Sequence, residues 1–290
     1  DMGTTTLNDS TQYTIQVTSN GGGKTYLGAI TGGSAYSSGN LLDKDGNSLS
    51  GKDAGFKIIQ EVNTAPSFTS LNDSPAFTEG GAAVVLDANV GISDVELDAL
   101  NSGLGNYSGA SLTLVRNGGE NTDDIFSFID GNGITAVGSN LIKNGQIIAT
   151  GAGTASQPIL TFTDANGETP TSADVDNILR QTTYANSSDA PPASVQIDWT
   201  FDDGNSGSQG TGGALQATGS TTVTITATND APTIVLPVGL LAYTENDPAS
   251  IIDAGTFIND VDGGDFDGGA LTVTFSSGGT TSDQLTILTG

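Results

Sequence analysis

The 290-residue chain contains no cysteine and no histidine. Without cysteine, disulfides and thiolate metal sites are excluded, and without histidine zinc loses its other usual ligand. The same two absences remove the commonest catalytic bases and nucleophilic pairs, leaving only carboxylate pairs for catalysis. Among 33 acids such pairs arise by accident, so no enzymatic activity is expected. Basic residues are scarce too: 7 Lys and Arg face 33 Asp and Glu, a formal net charge of -26. A surface of that sign repels phosphate backbones and anionic lipids, so no nucleic-acid partner is expected. No apolar run approaches the ~20 residues of a membrane span, so membrane insertion is not expected either. The opening residues Asp1-Met2-Gly3-Thr4 have neither the basic nor the apolar region of a signal peptide, which puts any targeting signal outside this sequence.

What the chain has is 41 glycines, abundant Thr, Ser, Asn and Asp, and short apolar runs that alternate with polar residues. Many short strands joined by tight turns follow from that composition, and an all-β fold with it. Alternation is clear at Tyr13, Ile15 and Val17, at Leu112 and Leu114, and at Leu160 and Phe162. It returns at Val195, Ile197, Trp199 and Phe201, at Val223 and Ile225, and at Leu271, Val273 and Phe275. Each set reads as one half-buried strand face. Trp199 shares its face with three apolar residues, which makes it a core residue rather than a sugar platform. One segment has a different period. Thr171 stands three positions before Asp174, and Val175, Ile178 and Leu179 follow at helical spacing, so one short helix is expected there.

Internal repetition organises the sequence. Asn63-Thr64-Ala65-Pro66 returns as Asn229-Asp230-Ala231-Pro232, with the prolines 166 positions apart (66 to 232). After each proline the same series follows: Phe77-Thr78-Glu79 against Tyr243-Thr244-Glu245, then Asp94-Val95-Glu96 against Asp260-Val261-Asp262. Tyr107 to Leu114 then matches Phe266 to Val273. A weaker match relates Asp43-Lys44-Asp45-Gly46-Asn47 and Phe56-Lys57-Ile58-Ile59 to Asp202-Asp203-Gly204-Asn205 and Val223-Thr224-Ile225. The expected organisation is the closing part of one β domain over 1–65, a complete repeat over 66–231 and the opening part of the next over 232–290.

The early glutamate of each repeat, the later Asp-Val-Asp or Asp-Val-Glu and the Asn-Asp-Ala-Pro linker together resemble the calcium-binding junctions of cadherins. They are closer still to the cadherin-like, Ig-like tandem repeats of large secreted bacterial adhesins of the repeats-in-toxin type. The resemblance covers residues 66–290 well and 1–65 poorly. It implies tandem β-sandwiches on the bacterial cell surface or outside the cell, with Ca2+ held by oxygens where repeats meet. Carried over by residue, it implies Glu61, Asn63, Asp94 and Glu96 at a first junction. It implies Glu79, Asn229, Asp230, Asp260 and Asp262 at a second, with Asp202 or Asp203 contributing from a nearby loop. Glu245 would serve a later junction. The sequence departs from the cadherin pattern at Thr64, which replaces the linker acid, and at Ala227, where a further acid is expected.

Calcium suits these residues, since it takes six to eight hard oxygens and Asp or Asn in turns present them on short stems. An extended Asp260-Val261-Asp262 would put both acids on one side. Neither Asp43 onward nor Asp260 onward is an EF-hand, because the sixth position is Ser48 or Asp265 and the twelfth Ala54 or Leu271. Gly21-Gly22-Gly23-Lys24-Thr25 lacks the spacing of a phosphate loop and reads as a hairpin turn. The expected role is a rigid spacer in an adhesin or matrix protein, with neighbouring repeats as partners and any cell-surface or matrix ligand bound by other domains. The alternative is a filament subunit whose incomplete terminal repeats pair head to tail between identical chains.

Overall fold

The computed structural model describes residues 62–236 and 239–287, and the short strands at 15–16 and 27–28. Glu61, the closing-half match at 43–59 and the turn at 21–25 lie outside the described residues. The chain divides into two compact units, Asp1–Ile59 and Gln60–Gly290. In the first, β1 (Ile15–Gln16) pairs antiparallel with β2 (Leu27–Gly28).

The second unit is built mostly of sheet. Its strands are β3 (Ser67–Thr69), β4 (Ala76–Thr78), β5 (Val84–Val85), β6 (Gly91–Ser93), β7 (Ser111–Arg116) and β8 (Asp124–Phe128). They continue as β9 (Ile134–Val137), β10 (Asn140–Lys143), β11 (Gln146–Gly153), β12 (Pro158–Phe162), β13 (Thr182–Asn186), β14 (Ser194–Asp202) and β15 (Gln216–Thr226). Two more follow, β16 (Thr233–Val235) and β17 (Phe257–Asn259). An open eight-stranded sheet runs β4-β15-β14-β7-β12-β11-β10-β9, and β5-β13-β8 form a second sheet. The class is all-β, as the alternation implies. No helix among the described residues is long and apolar enough to cross a membrane.

The long pair β14 and β15 is the backbone of the sheet, joined over nine residue pairs from Ser194–Thr224 to Asp202–Gln216. Val195, Ile197, Trp199 and Phe201 are all buried, so alternation sets the register because a one-residue slip would turn them to water. Trp199 satisfies its indole N–H on Thr221 Oγ1 at 3.1 Å, also buried, so the largest core side chain leaves no polar group unpaired. Phe77 of β4 and Phe126 of β8 both meet Tyr184 of β13 edge to face, which ties the second sheet to the first across one core.

Among the described residues two helices are present where the sequence predicts one. The expected helix is α2 (Ser172–Arg180), with a complete capping box between Thr171 and Asp174 and with Val175, Ile178 and Leu179 buried. It packs beside β6, where Asp176 accepts the Ile92 N–H at 3.0 Å. The additional helix, α1 (Val95–Gly103), corrects the one-helix expectation. Only Leu97 of α1 is buried and its dihedrals leave the helical region at Leu100, Asn101 and Ser102, so no apolar stripe marks it in the sequence.

The internal repeat reappears as geometry. β3 pairs with β6 through Ser67–Ser93, Phe68–Ile92 and Thr69–Gly91. β16 pairs with β17 through Thr233–Asn259, Ile234–Ile258 and Val235–Phe257, each partner lying 166 positions later (67 to 233, 93 to 259).

Candidate functional site

Two clusters of oxygen-bearing side chains stand out, one at the leading end of the 66–231 repeat and one at its trailing end. The leading cluster is assembled by three turns. Asn63 is held by a parallel bridge between Val62 and Thr211 and by its own N–H on Thr211 O at 2.9 Å. Its Nδ2 donates to Asp203 Oδ2 at 2.7 Å and to Gly213 O at 2.9 Å. Asp203 follows β14 directly, and its Oδ1 accepts the N–H groups of Asn205 and Leu215 at 2.9 and 3.1 Å. Gly204 beside it has φ +67° and lies so close to the Gly109 carbonyl that a Cβ would sit 2.1 Å from the oxygen, so only glycine fits this turn. Asp94 follows β6 and caps α1, its Oδ1 accepting from Glu96 N and Leu97 N at 3.0 and 2.8 Å. Glu96 enters through Thr64, whose Oγ1 donates to Glu96 Oε2 at 2.6 Å.

Asn63, Asp94 and Asp203 are 4%, 1% and 0% exposed, yet Asn63 Oδ1 and Asp94 Oδ2 have no hydrogen-bond partner. Burial pushes the Asp94 carboxyl above its ordinary range, and the charges of Glu96 and Asp203 push in the same direction. Among the described residues no basic side chain relieves them. The three cations among the described residues are engaged elsewhere, Arg116 with Asp124, Lys143 with Glu168 and Asp174, and Arg180 with Asp176.

At the trailing cluster, carboxylate oxygens of Glu79, Asp189 and Asp230 lie within 4.8 Å of one another. Glu79 follows β4, donates its N–H to Thr226 O and accepts the Thr228 N–H on Oε2 at 2.8 Å. Asp230 lies in the linker after β15, and its N–H donates to Asp262 Oδ2. Asp262 in turn donates its N–H to Asp260 Oδ1 at 3.0 Å. The Asp230 carboxyl is raised by desolvation and then by the charges of Glu79, Asp189, Asp262 and Asp260. Its Oδ2 is buried without a partner.

Most of the residues implied by the resemblance fall into these two groups, with differences. Asp203 sits beside Asn63 in the leading cluster rather than in the trailing one, because β14 runs back to the end of the repeat where Asn63 enters. Asp202 belongs to neither, since its oxygens accept from Gly204 N and Gln216 Nε2 at the end of the β14–β15 pair. Asp260 and Asp262 lie in a bend held by their own hydrogen bond, not in an extended strand. Asn229 is exposed and its Nδ2 donates to the Asp230 carbonyl at 2.8 Å. Glu245 is exposed in the turn at 244–247.

Asp189 is the residue that sequence reasoning missed. It lies in the loop before Pro191 and Pro192, and no spacing relates it to Glu79 or Asp230, which it meets only through the fold. Just before it, Asn186-Ser187-Ser188 matches the Asn-X-Ser acceptor pattern for glycosylation but is not presented for modification. Asn186 is buried, and its Nδ2 donates to Asp124 Oδ1 and to the Tyr184 hydroxyl.

Both clusters offer carboxylate and amide oxygens alone, the donor set of a hard divalent cation such as calcium. No protein-family model matches the chain, and no curated protein matches it.

Proposed function

We propose that residues 66–231 form a non-enzymatic, cadherin-like β-sandwich repeat of a secreted bacterial surface protein, stiffened by Ca2+ at its ends. The observation that carries this reading is the leading cluster, where buried acids and two buried, unpartnered oxygens stand with no basic side chain among the described residues to balance them. Burying acids without a counter-charge is costly, and a dication gripped by several oxygens offsets that cost. At the other end the charges of four acids, Glu79, Asp189, Asp260 and Asp262, act on Asp230, whose Oδ2 has no hydrogen-bond partner. With calcium in place, successive modules are held at a fixed angle, so the array acts as a spacer. Without it, repulsion among the acids loosens the seam.

The test is a calcium titration of thermal unfolding. A cation that binds the folded protein and not the unfolded chain raises the melting temperature progressively with concentration. Half-effects are expected on the order of 10⁻⁴ to 10⁻³ M, the range of extracellular modules. A melting temperature indifferent to calcium removes the reading.

A second reading, a subunit of an extracellular filament, is favoured by one observation. Tyr243, Phe266, Leu271 and Val273 are exposed, whereas their repeat counterparts Phe77, Tyr107, Leu112 and Leu114 are buried under strands of the complete repeat. In a filament, closing strands of a neighbouring copy would cover them. In a spacer, further strands of the same polypeptide would.

A further inference from the structure

Among the described residues Lys143 is the only lysine, and it is the one cation there whose nitrogen can become a nucleophile, because a guanidinium stays protonated. It ends β10, the last strand but one at an edge of the large sheet. Its Nζ lies 2.8 Å from Asp174 Oδ2 and 3.3 Å from Glu168 Oε1. Asp174 is the third residue of α2, and Glu168 stands in the loop before that helix. The Asp174 side chain is 7% exposed, whereas those of Lys143 and Glu168 are each 24% exposed. The amine and the second acid thus reach a carboxyl that is itself shielded from water.

Further contacts fix all three groups. Asp174 Oδ2 also accepts from Thr171 N at 3.1 Å and from Thr171 Oγ1 at 2.6 Å, so the capping box aims two donors at the oxygen that faces Nζ. Glu168 Oε1 accepts from Asn144 Nδ2 at 3.2 Å, in the turn that follows β10. Desolvation acts to lower the pKa of the Lys143 ammonium, but its hydrogen bonds to Asp174 and Glu168 and their charges hold it above the ordinary lysine range. The nitrogen is therefore protonated at rest, and bond formation needs a base beside it, which Glu168 supplies.

We propose that Lys143 and Asp174 condense to a side-chain amide, a covalent cross-link between β10 and α2. Nζ bonds to Cγ of Asp174, and negative charge gathers on Oδ2, where the Thr171 N–H and hydroxyl stabilise it. Glu168 relays to Oδ1 the two protons that the nitrogen loses. The Cγ–Oδ1 bond then breaks and Oδ1 departs as water. An ammonium and a carboxylate become one amide and one water, with no change of net charge and no further reactant. Holding amine and carboxyl at contact removes the entropic cost that keeps free amines and acids apart in water. The link closes 31 positions of chain, from 143 to 174. In a chain without cysteine it gives the constraint on the unfolded state that a disulfide gives elsewhere, and it fastens the β9–β10 edge of the sheet against peeling. It does not depend on a cation at either acidic cluster.

The experiment is intact-mass measurement of the full chain, purified folded and then denatured, followed by tryptic mapping. Wild type is expected to be lighter than its sequence by the mass of one water, to resist trypsin after Lys143 and to yield one branched peptide joining Lys143 to Asp174. Lys143→Arg keeps the positive charge, has its fold checked by circular dichroism, and is expected to show the full sequence mass. Glu168→Gln is expected to be isolated with most chains unlinked. A wild type of full sequence mass, cut normally after Lys143, overturns the proposal, and this map decides the matter even if a variant fails to fold. A loss of water that persists in Lys143→Arg overturns it too, by placing the dehydration elsewhere, as at an Asp-Gly turn such as Asp130-Gly131. Complete cross-linking in Glu168→Gln overturns the relay assigned to Glu168.

Discussion

Asp87, Asp124 and Asp94 are all sealed from water, and each is accommodated differently. Asp87 accepts four backbone N–H groups, from Asn72, Asp73, Asn89 and Val90, and so ties two loops together without a cation. Asp124 accepts from two of the three guanidinium nitrogens of Arg116, Nε and Nη2, and its Oδ1 also accepts from the Tyr184 hydroxyl. Of the three, only Asp94 keeps an oxygen with no hydrogen-bond partner, which makes it the candidate ligand among them. Residue types announce none of this, because which acids are buried and what reaches them depends on contacts distant in the chain. Tyr184 yields a test at this scale. Burial and its hydrogen bond to Asp124 push its hydroxyl up to about 12 from 10.0. A folded value above the unfolded one means this contribution to stability is complete below pH 10 and declines as pH rises from about 10 to 12. The urea midpoint is expected to fall across that window, and Tyr184→Phe to remove part of the fall.

At the scale of the element, the strands of the repeat were legible because each buries one face, and a period of two survives in the sequence wherever that holds. β14 carries four buried apolar residues in strict alternation. α2 was legible for the matching reason, a capping box followed by a stripe that buries Val175, Ile178 and Leu179. α1 was not, because it is capped by an acid that also serves the candidate site and buries one residue. The second copy of the repeat runs from Asp262 to Phe266 where the first runs from Glu96 through α1 to Tyr107, so the repeat alignment passes over this helix as an insertion. The importance of the α2 cap is measurable. Thr171→Ala is expected to cost about 1 kcal/mol in chemical denaturation, the usual cost of losing a threonine cap. No change would mean that packing alone fixes the start of α2.

For the whole molecule, the 166-residue repeat predicted from sequence is matched by identical strand registers at β3–β6 and β16–β17. The repeat also explains why the clusters were only partly legible. Matching copies pointed to Glu79, Asp94, Asp260 and Asp262, and the weaker closing-half match included Asp203, but the cluster that Asp203 joins, and the whole of Asp189's part, were placed by topology. Asp203 comes from a strand returning to the leading end and Asp189 from a loop reaching the trailing one. The central claim is that both ends grip a hard dication, and equilibrium dialysis of the full chain against radioactive calcium in excess magnesium tests it most directly. Saturable binding of at least one calcium ion per cluster, reduced by Asp94→Asn and by Asp230→Asn, is expected. Calcium retained only in proportion to net charge, displaced by magnesium and unchanged in both variants, would contradict it.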